Sequence, residues 1–287
     1  MTKFAKATTN TRATARGFTL VELITVIIVL GVVSVGISGF IRTGVQIYAD
    51  VTERDQLLGD SRFVVERINR ELRLAVPNSA RVKANNAGSI QCLEFVPSAW
   101  VSFYSSLSVL PALSTTASIV EFANNAANFR LKTNDFAIVY PASNVDVYDV
   151  NNNKRKVITA CTVNVNEDCN EDVDPNGIAK LTVSGAFEDH SPASRLYIAR
   201  TAVSYCAHSS GEIYRIEDSI NTTQTVYSFG TLMAENIKND FTQSNEAPFR
   251  VYEATLSRNG LVNILLAFER NEEIINYSNE VHIPNVP

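Results

Sequence analysis

The sequence predicts an α+β protein: a long N-terminal α-helix over about residues 18–75, followed by a large antiparallel β-rich head. Three observations predict it. An uncharged stretch runs from Leu23 to Ile41. Apolar residues then recur at helical spacing as far as Leu72. From residue 80 onward, short alternating runs rich in Val, Ile, Thr and aromatics are separated by turn clusters.

The totals bound the class without naming it. The chain has 287 residues, 45% hydrophobic and 19% charged, with a formal net charge of -5. That length holds one large or two modest cores, and the composition is not that of a disordered chain. An acidic balance argues against non-specific phosphate binding, so no nucleic-acid partner is expected.

Before the helix, Met1–Gly17 carries Lys3, Lys6, Arg12 and Arg16 and no acid. Phe18–Ile41 is 24 residues, which as a helix rises roughly 36 Å, enough to cross a hydrocarbon core of about 30 Å with some tilt. The leading positive charges place the N-terminus in the cytoplasm and everything after Arg42 outside. A secretory signal would carry its cleavage site beyond a shorter apolar run, yet here Arg16-Gly17-Phe18 precedes the run. A plain signal anchor fits the hydropathy equally well, but leaves Glu22 unexplained. An acid at that depth costs about 2–3 kcal/mol and needs a partner. Cleavage between Gly17 and Phe18 would create an α-amine one helical turn away, available to Glu22 of the same chain or of a neighbour.

Arg16-Gly17-Phe18-Thr19-Leu20-Val21-Glu22-Leu23-Ile24 resembles the prepilin motif of type IV pilins and type II secretion pseudopilins. The resemblance implies that a prepilin peptidase/methyltransferase cuts after Gly17 and methylates Phe18. It also implies that Glu22 guides docking into a growing filament. The division it suggests is a leader, 1–17; a transmembrane and filament-core half-helix, 18–41; an amphipathic half-helix, 42–79; and a periplasmic or extracellular head, 80–287. The implied partners are other minor and major pilins, the inner membrane and its assembly machinery. The implied location is the inner membrane, then the pilus.

Along the amphipathic half, Ile47, Val51, Leu58, Val65, Ile68 and Leu72 form one stripe, and Pro77 ends the pattern. Gly31, Gly36, Gly39 and Gly44 serve either close helix packing or a weak point that bends on filament entry.

In the head, strands are expected at Ile90–Val96, Phe136–Tyr140, Val145–Val150, Lys156–Val165, Ile178–Val183, Arg195–Cys206, Ile213–Ile216, Arg250–Ser257 and Leu261–Phe268. Asn151–Lys154 and His208–Gly211 read as hairpin connections, Leu107–Ser118 as a loop and Leu232–Phe241 as a short helix. Residues 80–287 carry 23 acids and 15 bases, an acidic head suited to solubility outside the cell.

All four cysteines follow the membrane span, where an oxidising compartment favours disulfides. Of three possible connectivities, Cys92–Cys206 with Cys161–Cys169 is favoured: one ties the first head strand to a late one, the other closes a short loop. No cysteine lies near the C-terminus, so the C-terminal loop familiar in major pilins is absent. Asp172-Val-Asp174-Pro-Asn176-Gly177 supplies the first oxygen ligands of a calcium loop, but its twelfth position is Val183 rather than Glu. The same residues make an excellent type I turn. Structural calcium is therefore the weaker reading, and no other cofactor is expected.

No enzyme signature is present: there is no G-x-S-x-G, P-loop, H-E-x-x-H or G-x-G-x-x-G. Trp100, Phe103 and Tyr104 are read as core or interface residues, with a sugar-binding surface as the alternative. Val203-Ser-Tyr205, Gly211-Glu-Ile213-Tyr-Arg215, Leu232–Ile237 and the ending Asn279–Pro287 resemble the large minor pilins and the J-type secretion pseudopilin.

Overall fold

The computed structural model describes residues 17–120, 131–161, 178–254 and 259–284. It shows the expected pilin-like α+β architecture: helix α1, Leu20–Arg73, followed by an antiparallel β-rich head. Contacts divide the chain into two compact units, Met1–Arg54 and Asp55–Pro287, so the division falls within α1.

In the first unit the helix is exposed throughout its apolar length. Phe18 is 80% exposed, and Ile47 and Val51 are open as well. The buried stripe therefore begins later than the periodicity suggests. It consists of Leu57, Ser61, Val64, Val65, Ile68 and Leu72, all within the second unit. These residues repeat at three and four, one face of a 3.6-residue helix.

The head opens with β1 (Arg81–Ala84) and β2 (Ile90–Phe95). Six strands follow: β3 (Ser98–Leu107), β4 (Thr116–Val120), β5 (Phe136–Val139), β6 (Arg155–Cys161), β7 (Ile178–Val183) and β8 (Arg195–Ala199). They close into a barrel in the order β3-β4-β7-β6-β5-β8. Next come β9 (Ala202–His208), β10 (Ile213–Asp218) and β11 (Thr231–Ala234). These join the first two strands in a five-stranded sheet, β1-β2-β9-β10-β11. Finally β12 (Phe249–Tyr252), β13 (Gly260–Arg270) and β14 (Glu273–Ile283) form a three-stranded sheet.

The helix stripe shares one core with both open sheets. Leu57, Ile68 and Leu72 pack with Leu93, Phe95 and Tyr205 of the five-stranded sheet and with Ile264, Leu266 and Phe268 of the other. The barrel has its own interior, built from Ile119, Leu131, Val139, Ile158, Leu181, Phe187 and Leu196. It is contiguous in sequence and sits between β2 and β9, which are hydrogen-bonded neighbours.

Polar side chains secure the junction of barrel and sheet. Arg155 of β6 donates to the carbonyls of Ile220 and Tyr148 at 2.9 and 3.1 Å. Arg81 pairs with buried Glu94 at 2.6 Å and lies 3.4 Å from the centre of the Tyr148 ring. Burial raises the Glu94 carboxyl above the usual range, against the pull of the Arg81 charge.

Five sequence expectations require correction. Val145–Val150 is not a strand but helix α2, Asn144–Tyr148, and the opening of a 3₁₀ turn, Val150–Asn152. Asp146 accepts from the backbone N–H groups of Ala142 and Ser143, both at 2.9 Å, and this local cap overrides the alternating Val pattern. Asn151–Lys154 accordingly leads from helical turns into β6 rather than joining two strands, whereas His208–Gly211 does connect β9 to β10. Arg195–Cys206 is two strands, because the chain leaves the barrel at Arg200-Thr201 and joins the five-stranded sheet. Leu232–Phe241 is not helical: Leu232 pairs with Tyr214 in β11, and Asn236 at φ 67° breaks any helical run. The expected loop Leu107–Ser118 is narrower, since it begins at the end of β3 and ends within β4.

Candidate processing and docking site

Gly17, Phe18 and Thr19 precede the helix, and Glu22 lies in its first turn. Thr19 acts as the cap: its hydroxyl accepts the Glu22 N–H at 3.3 Å and its carbonyl accepts the Leu23 N–H at 3.2 Å. Thr19-Leu-Val-Glu22 also has the spacing of a capping box, a signal in the sequence that the hydropathy reading passed over. The cap places the Glu22 carboxylate at the positive end of the helix dipole, one turn from Phe18. Among the described residues, no side chain pairs with that carboxylate.

Three hydroxyl groups beyond Glu22 are satisfied within the helix. Thr25, Ser38 and Thr43 donate to the carbonyls of Glu22, Ser34 and Gly39 at 3.0, 2.7 and 3.1 Å. In an apolar surrounding a free hydroxyl would be costly, so this back-bonding suits lipid or a helix bundle. α1 runs unbroken through Gly31, Gly36, Gly39 and Gly44, and a Cβ at any of them would meet nothing within 4 Å. Small surfaces of this kind let a second helix approach closely. α1 is the one helix among the described residues long and apolar enough to cross a membrane.

The disulfide Cys92–Cys206 is present, with both cysteines fully buried and the Cα atoms 4.0 Å apart. It links β2 to β9, directly opposite each other in the register. Cys161 is disulfide-bonded, and its expected partner Cys169 lies outside the described residues. Asp172, Asp174 and Asn176 lie outside them too. Among the described residues no cluster of His, Cys, Asp or Glu is arranged to hold a metal.

Trp100, Phe103 and Tyr104 do not form one platform. Tyr104 points into the barrel core, and its hydroxyl accepts the Ser191 N–H at 2.7 Å. Trp100 packs against that core, while Phe103 lies under the Arg195 guanidinium, 5.5 Å from ring centre to charge.

Residues 12–38 match the family described as the prokaryotic N-terminal methylation motif. The motif places the chain among type IV prepilin-like proteins, processed by a prepilin peptidase and serving a pilus or a secretion pseudopilus. Proteins of this pilin-like kind are typically structural subunits rather than enzymes, and the apolar helix is consistent with residence in the inner membrane before assembly. No curated protein and no solved structure matches the chain.

Proposed function

We propose that the chain is a minor pilin of a type IV pilus, of the kind found as MshO in the mannose-sensitive haemagglutinin system. It acts in assembly initiation or in the tip complex. The observation that carries this reading is the exposed apolar helix opening two residues after Phe18, with a single acid, Glu22, in its first turn. In this reading residues 1–17 are the leader, and the peptidase cuts between Gly17 and Phe18 and methylates the new terminus. Residues 18–41 hold the subunit in the membrane and later in the filament core. Residues 42–79 support the head, and residues 80–287 face the periplasm and then the outside.

Docking follows from charge. Moving an apolar helix from lipid to a helix bundle gains little from the hydrophobic effect, so packing and the pairing of Glu22 with the Phe18 amine of a neighbour drive it. The size of the head supports a minor rather than a major subunit. A type II secretion pseudopilin shares the same N-terminal features and is the second reading; co-purification with pilus or with secretion subunits separates the two. Mass spectrometry of the mature chain tests the processing. The expected product begins at N-methylated Phe18, and a chain that still begins at Met1 would overturn the proposal.

A further inference from the structure

A long strand left unpaired along one side is a template for another chain, because its outward N–H and C=O groups meet only water. The open edges of this head differ in length. β1, β11 and β12 have four residues each, whereas β14 has eleven and, among the described residues, pairs on one side only, with β13. Which groups of β14 face outward follows from β13. The N–H groups of Leu265 and Glu269 donate to the carbonyls of Pro248 and Asn236, and the Ala267 carbonyl accepts from Lys238. The odd-numbered residues of β13 thus turn away from β14. The even-numbered ones bond it, at Val262–Val281, Ile264–Asn279, Leu266–Tyr277 and Phe268–Ile275. Ile274, Asn276, Ser278, Glu280 and His282 are left with their backbone groups on the open side. Of the usual protections β14 lacks Pro and Lys, and its charges are confined to Glu273 at its start and the exposed Glu280.

The geometry points to β14 as the docking edge for an extended strand in the head of a second, different prepilin-like chain. This rests on the membrane-anchored reading above. The required pattern of the incoming strand is set by β14. Tyr277 reaches Ser61 of the helix at 3.1 Å, and Val281 and Ile283 lie in the core beside it. The partner strand therefore carries apolar residues on that side and polar ones on the other, with a Lys or Arg opposite Glu280.

A second copy of this chain fits poorly in either direction. Parallel pairing in register would set Glu280 beside Glu280 and Glu273 beside Glu273, and like charges directly opposite destabilise a sheet. Antiparallel pairing about Ser278 would set the Glu273 carboxylate beside the buried, apolar Ile283 at both ends of the junction.

A photo-crosslinking residue at Ser278 of the full chain, in cells that make its companion subunits, tests the proposal. The expected adduct joins residue 278 to a strand in the head of another prepilin-like subunit. Asn276→Pro deletes one outward donor without touching the β13 ladder and should lower the yield about tenfold, the effect of roughly one net interfacial hydrogen bond. Glu280→Arg, at an exposed position, should lower it without any backbone change. An adduct only to a second copy, only to a non-pilin protein, or no adduct from a chain correctly processed to Phe18 would overturn the docking edge alone. A chain that is never processed would overturn the prepilin-like reading and the docking edge with it.

Discussion

The hydroxyl of Tyr205 donates to the carboxylate of Glu71 across 2.9 Å, joining residues 134 apart in sequence. Arg215 donates to the same oxygen at 3.2 Å, and Arg67 to the other at 2.6 Å. One acid near the end of α1 thus holds β9, β10 and its own helix. Burial first, and then the Glu71 charge, push the Tyr205 hydroxyl far above its usual range, so it remains a donor at every physiological pH.

Glu71→Ala removes three partners at once and should destabilise the chain by about 2–3 kcal/mol, because the buried Tyr205 hydroxyl loses its acceptor and Arg215 keeps only the longer pairing with Glu217 at 3.5 Å. Tyr205→Phe loses one bond and should cost about 1 kcal/mol. Denaturant unfolding of the detergent-solubilised chain, followed by near-ultraviolet circular dichroism, distinguishes the two.

Leu72 is fully buried between the helix and both open sheets. Leu72→Ala should cost about 2–5 kcal/mol, whereas the same change at Leu74, which is 59% exposed, should cost well under 1 kcal/mol. Equal losses at the two positions would contradict the observed burial of Leu72 and exposure of Leu74.

Replacing both Cys92 and Cys206 by Ala opens a link with a sequence separation of 114. Loop-closure entropy puts the loss at about 4–5 kcal/mol, an upper figure if the barrel keeps the ends together when the sheet melts. Thermal unfolding with and without the pair measures it.

Asp218 accepts from the Tyr227 hydroxyl at 2.6 Å and from the Ser219 N–H at 2.7 Å, and these bonds lower its carboxyl from 3.8. Burial, then the bond to Asp218, pushes Tyr227 up to about 12. The folded carboxyl lies below the unfolded one, so its stabilising contribution is fully present above the unfolded value and lost as pH falls through the folded value. Tyr227→Phe should move the Asp218 carboxyl resonance of a nuclear magnetic resonance titration back toward 3.8.

Glu22→Ala should leave membrane insertion intact and impair incorporation into filaments; normal assembly by that variant would remove the docking role. Gly17→Ala should still be processed, while Gly17→Leu should accumulate as precursor on an immunoblot.

The sequence showed α1 almost to its ends, because an uncharged run and then a stripe ending at Leu72 leave little freedom. It also showed most strands and the pair Cys92–Cys206. It did not show that Arg195–Cys206 changes sheets at Arg200, since an apolar period is the same in a barrel and in an open sheet. Nor did it show β3 or β14, whose Ser and Asn residues dilute the apolar alternation. α2 was hidden because Asp146 caps a segment that otherwise reads as a strand. At the N-terminus the methylation motif was legible because its residues lie close together in the chain; Thr19 as the cap was legible in principle, from the spacing to Glu22.

The siting of the barrel has a consequence for how such heads diversify. β2 and β9 lie side by side, so the chain leaves the five-stranded sheet and returns to it at almost one point, and a covalent staple fixes that point. To the sheet and the helix beneath it, residues 98–199 are a cassette plugged into a fixed socket. Away from the junction held by Tyr148 and Arg155, its size and shape can change while the sheet and the helix beneath it keep the same dimensions.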